Sequence, residues 1–441
     1  MRDYKVLNNK DQAGIFKNLL KISENESHFA LLNSVDFSIT ENNKNKGNFN
    51  YIAAWGVEDE IEGTDKDGFY SFEKFYKSKS DWLFGYFGYD LKNEVENLRS
   101  NNSDYLNFPD LYFFQPIFLV IAENGNVIFY YPKIKRNTDE IYEIIERLER
   151  DNEDIRQNWD LRQKFDIKSR FTREEYVETV QKLKEHIKRG DIYEINFCQE
   201  FYAKAMINPQ DNYLKLNTLS PTPFSVFLKL KQNYLISASP ERFMKKQGTK
   251  IISQPMKGTI RRGSTEEEDG ALKEKLASDV KERAENVMIV DLVRNDLSRT
   301  AKKGSVEVEE LCGIYTFPQV HQMISTVVSE IEEEDTVKCI KNAFPMGSMT
   351  GAPKVKSMEL IEKYEKSKRG LYSGSVGYFS PNGDFDLNVV IRSMFYNEKN
   401  KYLSYSVGGA ITYLSDPQKE YEECLLKAKA MKQVLEEQND K

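Results

Sequence analysis

Short runs rich in aromatic and β-branched residues recur through the first part of the chain, and such enrichment is typical of β-strands. They lie at residues 51–55, 82–89, 111–114 and 127–131. A charged, helix-favouring stretch from about residue 138 to 168 follows and is predicted to connect two parts of the chain. We therefore place a boundary near residue 168, between an N-terminal region of 1–167 and a second region of 168–441.

In the second region, helical and strand patterns alternate. The helical patterns cover 173–189, 265–300, 353–368 and 417–437. The strand patterns cover 192–203, 224–238, 249–260, 374–380, 385–397 and 401–408. Pro381-Asn-Gly383 between two strand patterns predicts a hairpin turn. Because strands connect by hairpins as well as through helices, we expect an α+β fold with a mixed or antiparallel sheet.

The composition excludes several classes of protein. With 39% hydrophobic and 30% charged residues and a net charge of -7, the chain is typical of a soluble globular protein, and its acidity argues against a nucleic-acid or anionic-membrane partner. No apolar run reaches the roughly 18 residues that span a bilayer. The charged start Met1-Arg-Asp-Tyr-Lys5 argues against a secretory signal, so we predict a cytoplasmic protein.

Histidine and cysteine do not form the pattern of a metal centre here. The three histidines and four cysteines are scattered along the chain, without a Cys-x-x-Cys pair. Any metal must therefore be held by carboxylates, and carboxylate ligands favour Mg²⁺ or Ca²⁺.

Glu282 and Glu285 are the first candidate pair of carboxylate ligands. Both lie on one face of the helical pattern 265–300, which is apolar on most sides and is therefore expected to be buried. Burying a bare carboxylate is costly unless a partner offsets the cost, and a divalent cation is one such partner. Ion pairs with Lys281 or Arg283 at the helix surface are the alternative that these residues leave open.

Glu420 and Glu423 repeat the same spacing in the C-terminal helical pattern, which Asp416 and Pro417 introduce as cap and first residue. Glu423 falls off the apolar stripe of this helix and Glu420 lies on its margin. The helix by itself therefore predicts solvated glutamates. Only the recurrence of Glu-x-x-Glu indicates a shared hard cation.

Three further elements suit an anionic ligand. The small-residue loop 347–354 leads into a helical pattern, whose first N–H groups attract a carboxylate or phosphate, although any helix that starts with proline looks similar. Arg392 stands in the apolar run 388–394, where its charge calls for either a ligand carboxylate or a structural glutamate. Gly408 and Gly409 end a strand pattern and permit either close approach of a ligand or a bulge.

Lys257 stands in a constrained turn, Gln254-Pro-Met-Lys-Gly-Thr259. A lysine held away from water loses its proton more readily and then acts as a nucleophile, whereas most lysines in turns are solvated. Glu241, in Ser239-Pro-Glu-Arg-Phe243, has a neighbouring arginine with which it can simply pair. Local sequence alone assigns neither residue a role.

Together and in this order, the motifs of residues 172–436 resemble the chorismate-utilising enzymes, which include anthranilate, aminodeoxychorismate, isochorismate and salicylate synthases. The motifs that carry the resemblance are Gly190-Asp-Ile-Tyr-Glu-Ile-Asn196, Ser239-Pro-Glu-Arg-Phe243, Gln254-Pro-Met-Lys-Gly-Thr259, residues 283–296, His321, Gly351-Ala-Pro-Lys354, Gly377-Tyr378, Val390-Ile-Arg392 and Glu420-Tyr-Glu-Glu423. The resemblance implies an α+β fold of two antiparallel sheets, packed as a sandwich and wrapped by helices, with chorismate in a cleft between them.

The resemblance also implies roles for the matched residues. It implies that Glu285 and Glu423 hold Mg²⁺, with Glu282 and Glu420 close by. The groups implied to bind the enolpyruvyl carboxylate of chorismate are Arg392, Tyr378 and the backbone of Gly408 and Gly409. His321 and Thr350 are implied to line the ring and its carboxylate.

Two positions distinguish the members of this family. Anthranilate synthases typically carry alanine where Lys257 stands, and aminodeoxychorismate synthases carry lysine. Isochorismate and salicylate synthases carry a lysine base for water where this chain has Glu194, and the other members usually carry glutamine there. Lys257 therefore indicates formation of aminodeoxychorismate and not of anthranilate, and the absence of the lysine base disfavours attack by water.

The implied reaction begins when Lys257 adds to C2 of chorismate while Glu241 protonates the departing 4-hydroxyl. Ammonia then attacks C4 and expels the lysine, which gives 4-amino-4-deoxychorismate, the precursor of 4-aminobenzoate and folate. This chemistry needs a neutral lysine and a protonated glutamate. We expect mutual burial to shift the pKa values of both groups in these directions.

Partners are implied by the same resemblance. The chain has no glutaminase motif, so a separate glutamine amidotransferase subunit is expected to supply the ammonia. Residues 31–34 and 221–225 resemble the pocket in which relatives bind L-tryptophan, which makes Ser34, Pro223, Phe224 and Ser225 candidates for that pocket, although core packing explains them as well. The alternatives that remain are an anthranilate synthase component I and a non-catalytic sensor of aromatic metabolites.

Overall fold

A computed structural model describes residues 2–8, 12–34, 49–133, 138–150 and 166–436. The strands in this part of the chain are β1 (Arg2–Val6), β2 (His28–Asn33), β3 (Tyr51–Trp55), β4 (Asp59–Gly63), β5 (Leu83–Phe87), β6 (Leu111–Gln115), β7 (Phe118–Glu123), β8 (Asn126–Pro132), β9 (Lys168–Ser169), β10 (Glu194–Lys204), β11 (Phe224–Leu230), β12 (Asn233–Ser239), β13 (Arg242–Gln247), β14 (Lys250–Gln254), β15 (Met256–Arg261), β16 (Glu307–Thr316), β17 (Val320–Glu330), β18 (Gly351–Ala352), β19 (Ser375–Phe379), β20 (Phe385–Asn388), β21 (Ser393–Asn397) and β22 (Tyr402–Ile411).

The α-helices of the same ranges are α1 (Gln12–Asn25), α2 (Gly68–Ser78), α3 (Lys92–Glu96), α4 (Thr138–Glu149), α5 (Arg173–Arg189), α6 (Pro209–Leu219), α7 (Glu266–Ser278), α8 (Val280–Ser298), α9 (Thr336–Ala343), α10 (Lys354–Tyr364) and α11 (Pro417–Glu436). Short 3-10 turns lie at Tyr89–Leu91, Glu333–Asp335 and Gly347–Met349. None of the helices in the described ranges is long and apolar enough to cross a membrane.

The strands form two antiparallel sheets. The first has the order β1-β8-β7-β3-β2-β11-β12-β21-β22-β10-β18, with β9 also paired to β10, and the second has the order β15-β17-β14-β13-β20-β19-β5-β6-β4, with β16 also paired to β17. Every strand pairing in the described residues is antiparallel. The predicted α+β architecture of two packed antiparallel sheets is confirmed.

The main core lies between the two sheets. Buried Leu228 and Leu235 of the first sheet belong to the same hydrophobic cluster as Phe84, Phe113 and Phe379 of the second. A second cluster covers the outer face of the first sheet with residues of α1, α4, α5, α6 and α11. Burial of these apolar faces holds the layers together, at roughly 25 cal/mol per Å² of apolar surface removed from water.

The N-terminal region belongs to both sheets. Its strands β2 and β3 pair within the first sheet, where β2 lies beside β11 of the second region. Its strands β5 and β6 pair within the second sheet, where β5 lies beside β19. Residues 1–167 therefore complete the sandwich that the second region begins.

The predicted connector of about 138–168 begins with α4, and its residues 151–165 lie outside the described part of the chain.

Several predicted elements agree with the structure. Helix α5 occupies the predicted residues, with Thr172 and Glu175 forming a capping box at its start and Gly190 in a left-handed conformation at its end. The predicted hairpin at Pro381-Asn-Gly383 joins β19 to β20, and Gly383 takes a φ of 81° there. A positive φ is what glycine allows at little cost.

Other predictions of extended elements were wrong because each element is divided. The helix predicted over 265–300 ends at Ser278, and Asp279 caps a new helix by accepting from the backbone N–H groups of Lys281 and Glu282. The strand predicted over 224–238 is the hairpin of β11 and β12. The strand predicted over 385–397 crosses from β20 in the second sheet to β21 in the first.

Candidate active site

Lys257 and Glu194 form a buried ion pair. The Nζ atom of Lys257, on β15, donates to Oε1 of Glu194 at 2.8 Å, and the exposed fractions of the two side chains are 11% and 1%. Glu194 begins β10, where it lies opposite Ala352 of β18. Its second oxygen, Oε2, is buried and has no hydrogen-bond partner among the described residues. The candidate nucleophile therefore has a carboxylate held against it, 63 residues away in the sequence.

The surroundings keep Lys257 protonated. Burial lowers the pKa of Lys257, but the negative charges of Glu194, Glu285 and Glu241 outweigh burial and raise that pKa above its ordinary value. The prediction that the pKa of Lys257 is lowered overall was therefore wrong. The physical reason is that the burial is shared with carboxylates, whose charges favour the ammonium form.

At Glu241, burial and not neighbouring charge decides the direction of the pKa shift. Its carboxyl is 5% exposed in the segment between β12 and β13, and burial raises its pKa to about 7. The hydroxyl of Ser348 donates to Glu241 Oε1 at 2.7 Å, and this bond, with the charge of Lys257, limits the rise. A carboxyl with this pKa is partly protonated near neutral pH, which is the state that a proton donor requires.

The two glutamate pairs flank this centre from different helices. Glu282 Oε2 on α8 comes within 3.2 Å of where a Cβ on Gly258 would lie, next to Lys257. Glu420 Oε2 and Glu423 Oε1 on α11 come within 3.3 and 3.9 Å of where a Cβ on Gly409 would lie. The positive charge of Lys281 acts on both pairs, as its raised pKa reflects. The fold thus brings together two helices that are far apart in the sequence.

The four carboxyls differ in the direction of their pKa shifts. Burial raises the pKa of Glu285 to about 6 and also raises the pKa values of Glu282 and Glu420. Burial opposes ionisation of Glu423 too, but its ion pair with Lys427 at 2.8 Å lowers its pKa overall. Clustered carboxyls that resist ionisation are stabilised when a cation joins them.

Some of these glutamates also form ion pairs with lysines, which is the alternative that the sequence left open. Lys281 lies 3.7 Å from Glu285, and Lys427 pairs with Glu423. Helix α8 is buried on one face only, with Val287 exposed, which corrects the expectation that it is buried on most sides. In the described ranges, no three histidine, cysteine or acidic side chains converge closely enough to hold a metal ion. Carboxylate oxygens are suitable ligands for a hard cation. Two of these carboxylates, Glu285 and Glu423, now lie next to lysine ammonium groups.

Arg392 stands at the crossing between the sheets and not inside a strand. Its φ is 52°, a left-handed conformation that is uncommon for a residue with a side chain. Burial lowers the pKa of Arg392, and Tyr372 and Glu423 act against that shift. Among the described residues, no side chain or carbonyl makes a hydrogen bond or ion pair with its guanidinium. A half-buried guanidinium without a protein partner is a site for an anion.

Gly408 and Gly409 lie near the end of β22. They are opposite Cys198 and Phe197 of β10. A Cβ on Gly408 would lie 2.2 Å from the carbonyl oxygen of Phe197, so only glycine fits there. That these two glycines bind the same carboxylate as Arg392 stays a prediction.

Tyr372 acts electrostatically on Arg392. Tyr378, the predicted ligand of the enolpyruvyl carboxylate, lines a cavity in which its ring lies against Phe49 and Trp82, and its contact with a substrate stays a prediction. The buried hydroxyl of Tyr372 lies 3.3 Å from Cys198 Sγ. Sequence reasoning missed Tyr372 because the Gly-Tyr motif drew attention to Tyr378. It also missed Ser348, although that residue lies in the loop singled out at 347–354.

His321 and Thr350 make local hydrogen bonds. The ring nitrogens of buried His321 lie 3.0 Å from Thr316 Oγ1 and 2.9 Å from Asp269 Oδ1. The hydroxyl of Thr350 donates to the carbonyl oxygens of Met346 and Gly347. These bonds give both side chains a structural role, and contact of either with a substrate ring stays a prediction.

The four residues predicted for a tryptophan pocket line one cavity. Ser34, Pro223, Phe224 and Ser225 border it together with Tyr378. The hydroxyl of Ser34 donates to the carbonyl oxygen of Pro223 at 2.9 Å, which ties β2 to the start of β11. The occupation of this cavity by tryptophan stays a prediction.

The fold and this arrangement define a class of enzyme. Residues 24–433 match the family described as chorismate binding enzyme, and the chain belongs to this family. It is therefore a chorismate-utilising enzyme. Anthranilate synthase component 1 of Aquifex aeolicus is 37% identical over 367 residues, which cover 80% of this chain and 74% of the relative.

Relatives of a second kind match the chain over a shorter stretch. Aminodeoxychorismate synthase component 1 of Escherichia coli is 40% identical over 266 residues, which cover 60% of this chain and 58% of the relative. Among solved structures, anthranilate synthase component I of Streptococcus pneumoniae superposes with a TM-score of 0.77 at 25% identity, covering 92% of both chains. The relatives thus carry the names of two different synthases.

Proposed function

We propose that this enzyme transfers the nitrogen of ammonia to C4 of chorismate, giving 4-amino-4-deoxychorismate. The observation that supports this proposal most is Lys257 enclosed in the site beside the partly protonated Glu241. A lysine so placed is a candidate covalent nucleophile, and the glutamate a candidate general acid. A synthase that carries alanine in place of Lys257 has no amine to offer there.

Each residue near the centre has one task in this reaction. Lys257 Nζ adds to C2 of the ring, and Glu241 gives a proton to the 4-hydroxyl as it leaves as water. Ammonia then attacks C4, and the bond between Nζ and C2 breaks. Arg392 receives the enolpyruvyl carboxylate, since its side chain is half-buried and its guanidinium lacks a partner among the described residues.

Magnesium is part of this proposal. Glu285 and Glu423 would hold Mg²⁺, with Glu282 and Glu420 close by, after Lys281 and Lys427 release the carboxylates that they now approach. When bound, Mg²⁺ neutralises the ring carboxylate of chorismate and assists departure of the hydroxyl. The raised pKa values of three of these carboxyls support a cation at this place.

The ammonia is proposed to come from a separate glutamine amidotransferase subunit. Two bacterial relatives carry the name component 1 of aminodeoxychorismate synthase, which is the name of one part of a larger enzyme. Added ammonium salt replaces such a partner in a test tube. The proposed activity can therefore be assayed on this chain alone.

Product identification tests the proposed function. We expect the purified chain, incubated with chorismate, Mg²⁺ and an ammonium salt, to form 4-amino-4-deoxychorismate, identified by chromatography and mass. Anthranilate plus pyruvate in its place would overturn the proposal in favour of the second candidate, anthranilate synthase component I, which relatives covering 80% of the chain favour. No amino product at all would favour a sensor of aromatic metabolites.

The role of Glu241 predicts the pH dependence. Only its protonated form donates, so kcat is expected to fall as pH rises through about 7, the pKa to which burial raises this carboxyl. Replacing Glu241 with glutamine removes the donor, and we expect kcat to fall by about 10² to 10⁴-fold. Initial rates across pH measure both effects.

The control for Glu241→Gln is Glu309→Gln, since Glu309 is a partly exposed carboxylate that pairs with Lys250 at the surface. Its activity should equal that of the wild type. A wild-type kcat that stays constant from pH 6 to 8 would contradict the acid role of Glu241, because its protonated fraction changes most in that interval.

A further inference from the structure

The proposed covalent step leaves one proton without a destination. Three carboxylates raise the pKa of Lys257 and so favour its ammonium form. An ammonium has no lone pair with which to attack C2, so one proton must leave Nζ first. Among the described residues, the group hydrogen-bonded to Nζ is Glu194, at 2.8 Å.

Glu194 is built into the fold at a fixed position. Its carbonyl oxygen accepts from the hydroxyl of Ser357 and lies 2.2 Å from where a Cβ on Gly351 would stand, so strand β18 packs tightly against it. Its side chain is almost wholly removed from water, and Oε2 has no hydrogen-bond partner in the described ranges. Glu194 is therefore held against Nζ of Lys257 and keeps one oxygen that no described group occupies.

The other acidic groups around Lys257 have different positions and tasks. Glu285 and Glu282 approach from α8, Glu423 from α11 and Glu241 from the segment before β13. All four act on the lysine through their charge. Glu241 must give a proton and the other three are the proposed cation ligands, so none of them is free to hold the lysine proton.

We propose that Glu194 is the internal base of Lys257, which takes the ammonium proton before attack on C2 and holds it until the lysine is released. This inference rests on the proposed function. The transfer converts an ammonium and a carboxylate into an amine and a carboxylic acid within one hydrogen bond. Glu194 contacts the reacting nitrogen and is thus a catalytic residue.

The proton balance closes over the whole reaction. Neutral Nζ bonds to C2 while the 4-hydroxyl takes the proton of Glu241 and leaves as water, which makes Nζ a secondary ammonium. Ammonia then bonds to C4 as the Nζ–C2 bond breaks, giving a free amine on Lys257 and an ammonium on C4. The C4 ammonium returns a proton to Glu241, and Glu194 returns its proton to Lys257.

An internal base has a distinct pH signature. The pair of Lys257 and Glu194 holds the same number of protons before and after the transfer, so activation of the lysine does not depend on the pH of the solvent. Glutamine at this position has no acidic form that can hold the proton. The lysine would then have to lose its proton to solvent, and its reactive fraction would rise about tenfold per pH unit below its pKa.

The test compares Glu194→Gln with the wild type at each pH, because the ratio of their kcat values cancels the contribution of Glu241. We expect this ratio to be about 1 in 100 near pH 7, within the usual range for a lost general base, and to rise about tenfold per pH unit towards pH 9. Glu194→Asp keeps a carboxylate, and its ratio to wild type should not change with pH. Thermal unfolding of both variants verifies that they fold.

The outcomes separate the two proposals. A Glu194→Gln ratio that is constant with pH, at any level, overturns the role of Glu194, and so does a Glu194→Asp ratio that changes with pH. The second criterion applies even where the glutamine variant does not fold. Failure of the wild type to form 4-amino-4-deoxychorismate would instead overturn the proposed function itself.

Discussion

Replacing Lys257 with alanine is expected to remove nearly all formation of 4-amino-4-deoxychorismate from chorismate and ammonium. Without Nζ there is no covalent bond to C2, and ammonia would have to displace the 4-hydroxyl directly. Losses on removing a covalent nucleophile are large, and we expect kcat to fall by at least about 10³-fold. Chromatography of the products at saturating ammonium measures the loss.

The matched control is Lys250→Ala, since Lys250 lies on the neighbouring strand β14 and pairs with Glu309 at the surface. Such an exposed pair contributes roughly 0 to 1 kcal/mol to stability, so this variant should retain full activity. Removing Lys257 also leaves Glu194 buried without its cation. The double variant Lys257→Ala with Glu194→Gln removes that strain and should be equally inactive. Full activity of either Lys257 variant would contradict the covalent role.

Replacing Arg392 with alanine is expected to weaken chorismate binding strongly. Its side chain is half-buried and its guanidinium has no partner in the described part of the chain, so it can hold both oxygens of a carboxylate. Truncating one side of such a charge pair costs about 2 to 5 kcal/mol, so kcat/KM for chorismate should fall by about 10² -fold or more. The KM for ammonium should change little. Steady-state rates with each substrate varied in turn measure the two effects.

Arg392→Lys separates charge from geometry. Lysine keeps the charge but cannot grip both oxygens, so its kcat/KM should lie between those of the alanine variant and the wild type. Both replacements carry the same cost of a φ of 52°, and the difference between them therefore reports on the guanidinium. Arg294→Ala, on the exposed side of α8, is the control. An unchanged KM for chorismate in Arg392→Ala would contradict this role.

Much of the fold could be predicted because its elements carry local signals. Helix α5 has its apolar face, capping box and terminal glycine within one stretch of sequence, and its limits were predicted correctly. The division of the long helix at Asp279 and the crossing at Arg392 could not be predicted in this way. The division depends on how α7 and α8 pack against the rest of the protein. The crossing depends on the pairing of β20 in the second sheet and of β21 in the first.

The sequence indicated which residues lie together at the site, but not the direction of the pKa shift of Lys257. Lys257, Glu241 and both glutamate pairs lie around one centre, as the motifs indicated. The sign of the lysine pKa shift depends on the distance between Lys257 and Glu194, which no spacing along the chain reveals. The proximity of Tyr372 to Arg392 could not be predicted for a similar reason, since the packing of β19 and the loop before it decides the face to which each tyrosine points.

The central claim is that Lys257 bonds covalently to chorismate, and mass spectrometry of the quenched enzyme tests it most directly. With chorismate and Mg²⁺ but no ammonium, the peptide that contains Lys257 should gain the mass of chorismate less water, and the added mass should disappear when ammonium is supplied. Turnover to 4-amino-4-deoxychorismate with no such adduct on Lys257 would contradict the account.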